Sequence, residues 1–301
     1  MISISFILAV FLAGALTAFV AGNNLSAAVG TIIGSRITSR SVGIVIGIIG
    51  FALGLLLEGR ALHSASANLI PPSYRLESYA FLVAFLLFIA AYLMRAPLSL
   101  TMVLVGVSVG LSLHYGYSIN TGFISIVILA WVVAPIGSIA FAYLLSVGLR
   151  KWNPRNFWSE ISLLKVLLVV VSFLTAFTLG ANTLGLIANM EGFDVYVIIS
   201  MLLGIVIGSV FLSRGIIKRV AQEMYLMRYS NALTSLLVSS IFVEVATILS
   251  IPLSNTQTLT SSVFGTGMSY RTKAIYLGPF LLVAGSWLVS PIAGLILGYL
   301  I

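Results

Sequence analysis

The 301-residue sequence contains no cysteine, which excludes thiol redox chemistry, disulfide scaffolds and cysteine metal sites. Histidine is nearly missing as well. His63 and His114 lie far apart and lack metal-ligand spacing, so no bound metal is expected. Charge is scarce at 7% of residues, and acids are rarer than bases, 7 against 15. A soluble exterior needs several times more. There is no G-x-x-x-x-G-K-[ST] loop and no candidate soluble domain, which argues against an ATPase. Only one acid falls inside an apolar run and no Asp-rich motif occurs. A membrane-embedded enzyme acting on lipid-linked or isoprenoid substrates is therefore a remote reading, and no catalytic residues are assigned.

What is present is apolar: 60% of the residues are hydrophobic and the mean hydropathy is +1.17. The runs are long and continuous, whereas a membrane β-barrel would alternate over segments of about ten residues. The chain reads as an all-α, multi-pass membrane protein. At roughly 20 residues per crossing it has room for about ten. The expected spans are residues 3–37, 42–58, 78–94, 97–115 and 121–149, then 165–190, 195–213, 232–250, 252–270 and 275–300. The first run lacks the basic flank of a signal peptide and continues past "AGNN", so it is kept as a span. With both termini outside the cell membrane, the inner loops hold every Lys and Arg except Arg60 and Arg75. That is the positive-inside pattern. The net charge of +8 is therefore loop charge rather than a nucleic-acid footprint.

The two halves echo each other, and the expected units are 1–150 and 151–301. "PLSLTMVLVGVSVG" from Pro97 matches "PLSNTQTLTSSVFGTG" from Pro252, and "WVVAPIG" from Trp131 matches "WLVSPIA" from Trp287. "AGNNLSAAVG" matches "LGANTLGLIAN", pairing Asn23 with Asn182. Five crossings per half is an odd number, so the second half must be inverted. Inverted repeats with broken helices near the midplane are transporter architecture, with the substrate where the breaks meet.

Each half carries two polar interruptions. One is Asn23-Asn24, matched by Asn182-Thr183. The other is Pro97, Ser99 and Thr101, matched by Pro252, Ser254 and Thr256, with Asn255 beside them. Proline suits the first turn of a helix, whose free N–H groups and positive dipole end attract anions. Hydroxyls and amides add donors without charge, so the set describes a neutral cage for an oxyanion. Glu244, the acid inside a span, either carries a coupling proton or pairs with an arginine near a helix end. Gln257 joins it as a coupling candidate. The bland alternative for any single Ser or Thr is helix packing, as it is for Gly106, Gly110, Gly265 and Gly267. Trp131/Pro135 and Trp287/Pro291 read as structural.

These motifs resemble the inorganic phosphate transporter family, the PiT permeases. Its members carry G-x-N-D-x-x-N-A near the start of each half, P-V-S-T-T-H followed by spaced glycines, and W-x-x-x-P near the end. "AGNNLSAAVGTIIGSR" aligns without gaps to the first signature, "AFTLGANTLG" to the second, and "PLSNTQTLTSSVFGTG" closely to the proline block. The resemblance implies a secondary permease for inorganic phosphate working by alternating access, and a homodimer. It also departs from the family. The signature aspartate is Asn24 and Thr183, the second asparagine is Ala27 and Leu186, and the histidine is Met102 and Gln257. Losing both carboxylates weakens any cation site, so sodium coupling is not carried over and a proton is the candidate coupling ion. Sulfate or another oxyanion is the alternative cargo, a non-transporting receptor or scaffold a further one, and a channel is less favoured than a carrier.

Overall fold

The structure, a computed structural model, describes residues 4–94, 98–151, 157–213, 229–269 and 277–301. Pro97, Arg95 and the basic loops after residues 151, 213 and 269, expected to lie inside, fall outside them. Every regular element described is helical. In chain order they are α1 (Ile4–Gly34), α2 (Arg40–Glu58), a 3₁₀ turn (Gly59–Leu62), α3 (His63–Leu69), α4 (Tyr74–Met94), α5 (Leu100–His114) and α6 (Thr121–Lys151). They continue with α7 (Phe157–Leu179), a π turn (Gly180–Leu184), α8 (Gly185–Met190), α9 (Val195–Ile207) and a π turn (Gly208–Leu212). The last are α10 (Tyr229–Ile248), α11 (Asn255–Met268) and α12 (Leu277–Leu300). Among the described residues, eight helical stretches are long and apolar enough to cross a bilayer.

The first difference from the sequence expectation is at Asn23-Asn24. α1 runs through both as one regular helix. Asparagine costs a helix only tenths of a kcal/mol per residue, and a long apolar helix absorbs that. The matched segment in the second half does deform, into the π turn at Gly180–Leu184 that holds Asn182. There Gly180 lies flush against the Phe51 carbonyl and Gly54 of α2 against the Phe177 carbonyl, where a Cβ on either would collide. The two glycines let α2 and α7 approach backbone to backbone around the widened turn.

The second difference concerns α5 and α11. At 15 and 14 residues they span only about 20 Å, too short for a ~30 Å apolar core. Their starts can be placed by depth. Trp131 lies ten residues, or about 15 Å, into α6, and its indole N–H donates to the Pro252 carbonyl at 3.0 Å. Ser290 lies about 15 Å before the end of α12, and its hydroxyl accepts from Ser99 N–H at 3.3 Å. Both starts therefore sit near mid-bilayer.

The far ends separate. α5 finishes beside the end of α12, where His114 Nδ1 meets the Tyr299 carbonyl at 2.7 Å. α4 begins on that same face, since Asn68, just before it, accepts from Asn120 at the mouth of α6. α4–α5 is thus a re-entrant hairpin opening on one face. α10–α11 opens on the other, where Tyr229 reaches the Ser35 carbonyl at the end of α1. α11 runs back along α10, with Thr266 Oγ1 3.2 Å from Ser235 Oγ. The start of α1 and the end of α12 lie on the face where α4–α5 opens, because Phe6 packs on Tyr74 and Tyr196 while Tyr299 packs on His114.

The hairpins are held crosswise. α5, from the first half, packs along α12 from the second, and α11 packs along α6. Glycine makes the contacts close. A Cβ on Gly106 would strike the Pro291 carbonyl, one on Gly110 the Leu295 carbonyl, and one on Gly265 the Ile139 carbonyl. These three glycines are packing residues. The apolar faces of α6 and α12 away from the hairpins stay exposed, as a lipid-facing surface requires.

Candidate functional site

The two hairpin tips meet. Ser99 Oγ donates to Ser254 Oγ at 2.9 Å, and Ser254 Oγ lies 2.8 Å from Thr256 Oγ1. The backbone at the two positions is nearly the same: φ −99°, ψ 113° at Ser99 and φ −83°, ψ 114° at Ser254. Each is the N-cap of its short helix, so two helix starts, with their unsatisfied N–H groups, face one spot at mid-bilayer. Ser99 Oγ also accepts from Met102 N–H. The Ser254 hydroxyl makes no cap bond and is left for its neighbours.

The chain reaches these caps by a tight turn. α10 ends with Ile251 N–H on the Ala246 carbonyl at 2.7 Å and Ser250 N–H on the Thr247 carbonyl at 2.9 Å. That is a Schellman cap, with Ser250 at φ 55° in the place usually held by glycine. Its hydroxyl accepts from Ala65 N–H at 3.0 Å, which pins the tip to α3. Asn182 pins it again. Its amide nitrogen donates to Thr247 Oγ1 and to the Ile251 carbonyl, and its oxygen accepts from Leu253 N–H, each at 3.0 Å. The structure thus places Asn182 behind the tip, with its amide fully engaged in shaping it. Thr183 is buried next to it.

Other expected site residues divide into two sets. Asn255 and Gln257 lie buried in the first turn of α11. The Asn255 amide nitrogen has no hydrogen-bond partner, while its oxygen accepts from Ser239 at 3.1 Å. Gln257 Nε2 donates to the Trp131 carbonyl at 2.8 Å, leaving Oε1 buried without a partner. Thr101 is buried in the first turn of α5, and Thr256 is half-buried beside Ser254. Asn23 and Asn24 are half-buried on α1, and among the described residues no hydrogen bond ties either to the tips. Ser99, Ser254 and Thr256 thus form a cluster of neutral hydroxyls, and the first turn of α11 also carries one unfilled amide N–H and one unfilled carbonyl. An oxyanion carrying a proton uses both kinds of group.

Glu244 has a partner that the sequence did not suggest. Its side chain meets the carboxyl of Glu58, at the end of α2, rather than an arginine. Two carboxyl groups can hydrogen-bond only with a proton between them. Glu58 was hidden from the sequence because it closes a span and reads as part of the outer loop. Ser290 was hidden too, although its signal is visible afterwards: "WLVSPIA" has a serine where "WVVAPIG" has Ala134.

Comparison with known proteins fits this geometry. The model of the phosphate transporter family matches residues 20–298. The protein of Methanocaldococcus jannaschii named "Putative phosphate permease MJ0630" is 25% identical over 288 residues, covering 93% of this chain and 91% of that one. The solved structure of "The sodium-dependent phosphate transporter" superposes with a TM-score of 0.83 over 99% of both chains, at 15% identity, and so shares the fold. With a family match over nearly its whole length and a fold shared end to end, the chain belongs to the phosphate transporter family.

Proposed function

We propose that this protein is a permease that carries inorganic phosphate by alternating access, built as inverted repeats 1–150 and 151–301. The observation that carries the reading is the Ser99–Ser254 contact, where two helix starts from different halves meet. Phosphate would take the place of that hydroxyl–hydroxyl bond, accepting from Ser99, Ser254, Thr256, the Asn255 amide and the first N–H groups of α5 and α11. Thr101 and Thr183 line the same region, and Asn23 and Asn24 approach it when the halves move. Gln257 Oε1 would accept the phosphate proton, which sulfate lacks at neutral pH. Asn182 holds the tip in shape. The opposite openings of the two hairpins support a carrier, since each tip can be reached from a different face.

Coupling in this reading is to protons. Asn24 and Thr183 stand where the family places aspartates, so the charge that would bind sodium is missing. The Glu58–Glu244 pair offers a proton site that joins the two halves. A homodimer with both termini outside the cell completes the proposal.

The test is uptake of labelled phosphate into proteoliposomes. Phosphate should enter under an imposed pH gradient, sodium should not replace that gradient, and excess sulfate should not compete. Entry of sulfate without phosphate would retain the fold and reject the cargo.

A further inference from the structure

Away from the tips, a second pair of carboxyl groups is buried on the face that carries the start of α1 and the end of α12. Glu77 lies one turn into α4 and is 2% exposed; Glu191 directly follows α8 and is 3% exposed. Glu77 Oε1 accepts from Ser73 N–H at 3.0 Å and so caps α4. Glu77 Oε2 and both oxygens of Glu191 receive no bond from any other group, and the two carboxyls lie within hydrogen-bond reach of each other.

The surrounding charges do not neutralise the pair. Arg75, on α4, is turned to Tyr79: its Nε donates to the phenol at 3.1 Å and its guanidinium lies 5.6 Å from the ring centre. Arg60, from the 3₁₀ turn, stacks 5.1 Å above the Phe193 ring. Asp194, capping α9 through Tyr196 N–H, adds a further negative charge facing Glu191. His63 of α3 is solvent-exposed. Nor is the pair a metal cage, for among the described residues no three His, Cys, Asp or Glu side chains gather as ligands. Two acceptor-only carboxylates in contact, out of water and without a cation, repel strongly. One proton between them converts that repulsion into a bond.

We propose that Glu77 and Glu191 form a proton-binding site separate from the substrate tips, in which Glu191 O–H donates to Glu77 Oε2. The direction follows from the capping bond, which favours the charged form on Glu77. The proton latches the start of α4 to the turn after α8. α4 is the arm that leads to the Ser99 tip, and α8 continues from the π turn that holds Asn182, so the latch joins two elements framing the site. It stands whether or not the tips hold phosphate.

Burial, with Glu77 and Asp194 close by, pushes the Glu191 carboxyl up to about 8. The folded protein then keeps a proton that the unfolded chain releases at the ordinary value of 4.5. Stability from the latch is present below that ordinary value, declines as pH rises, and is gone above the folded value of about 8. Glu191→Gln keeps an N–H donor toward Glu77 and removes the titration.

The experiment is thermal unfolding of the purified full chain in detergent at pH about 4, below the ordinary carboxyl value, and at pH about 9, for wild type and Glu191→Gln. The two should melt within roughly 1 °C of each other at the lower pH, and the variant should melt several degrees higher at the upper one, at ~2–4 °C per kcal/mol. The same difference at both pH values overturns the latch. Should Glu191→Gln fail to fold, Glu77→Gln supplies the test. An amide facing Glu191 stabilises its ionised form, so the alkaline decline moves to lower pH. An unmoved decline overturns the proposal.

Discussion

The two hairpin tips share a motif and a backbone conformation, yet they are fastened by different means. The second tip is tied by side chains: Asn182 holds its extended segment, Trp131 its Pro252 carbonyl, Gln257 the Trp131 carbonyl and Ser250 the α3 amide. Among the described residues the first tip, apart from its contact with Ser254, receives one such bond from another helix, from Ser290, and is otherwise clamped along α12 by glycine-mediated backbone contact. Directional bonds fix the second tip at individual atoms. Backbone apposition fixes the first only as part of a helix pair. The two helix starts are therefore alike, while the supports behind them differ.

The largest effect should come from attacking the clamp. In Gly106→Leu the new side chain meets the Pro291 carbonyl, which cannot rotate away as a side chain could. Overpacking usually costs about 1–3 kcal/mol, and collision with a helix backbone belongs at or beyond the top of that range. Detergent extracts should give aggregated protein on size exclusion. A monodisperse peak at wild-type yield would show that α5 is not clamped as described.

The next effect separates the matched asparagines. Asn182→Ala leaves the buried Leu253 N–H without its acceptor and frees the Ile251 carbonyl, at roughly 1–3 kcal/mol per unpaired group. The melting temperature should fall by several degrees. Asn23→Ala removes no hydrogen bond seen here, so its melting temperature should stay within about 1 °C of wild type. Equal losses in the two variants would erase the distinction between a tied tip and a clamped one.

The contrast also marks how far the sequence could be read. Long continuous apolar runs located the helices, because a lipid solvent demands them and leaves charge only at their ends. The repeat located Ser99 and Ser254 as a pair. Depth was not legible: nothing in "PLSLTM" tells a helix start at a membrane surface from one at the midplane, since both expose a capped first turn. Partner identity was not legible either. Glu58 joins Glu244 only because α2 and α10 end close together, and Asn182 looks like a binding amide until Leu253 and Ile251 are seen to occupy it. Gly106, Gly110 and Gly265 were read correctly as packing residues because close helix approach needs them wherever the ligand sits.

A small expected change in stability is the most informative about the site. Gln257 stands where the first half has Met102, so Gln257→Met makes the second tip like the first. The substitution removes the bond to the Trp131 carbonyl, worth about 1 kcal/mol net. It also removes Oε1, a buried acceptor with no partner, whose burial carries a comparable cost. The two nearly cancel, and methionine fills similar volume, so the melting temperature should move by no more than about 2 °C. The amide cannot simply be reversed, because its oxygen would then face the Trp131 carbonyl oxygen. Oε1 is therefore left as a buried acceptor without a partner in the first turn of α11. If it accepts a proton from phosphate, Gln257→Met should raise the phosphate KM roughly tenfold and let sulfate begin to compete, at ~1.4 kcal/mol for the lost bond. An unchanged KM in a stable variant would return Gln257 to the set of supports, and leave phosphate recognition to the hydroxyls and helix starts alone.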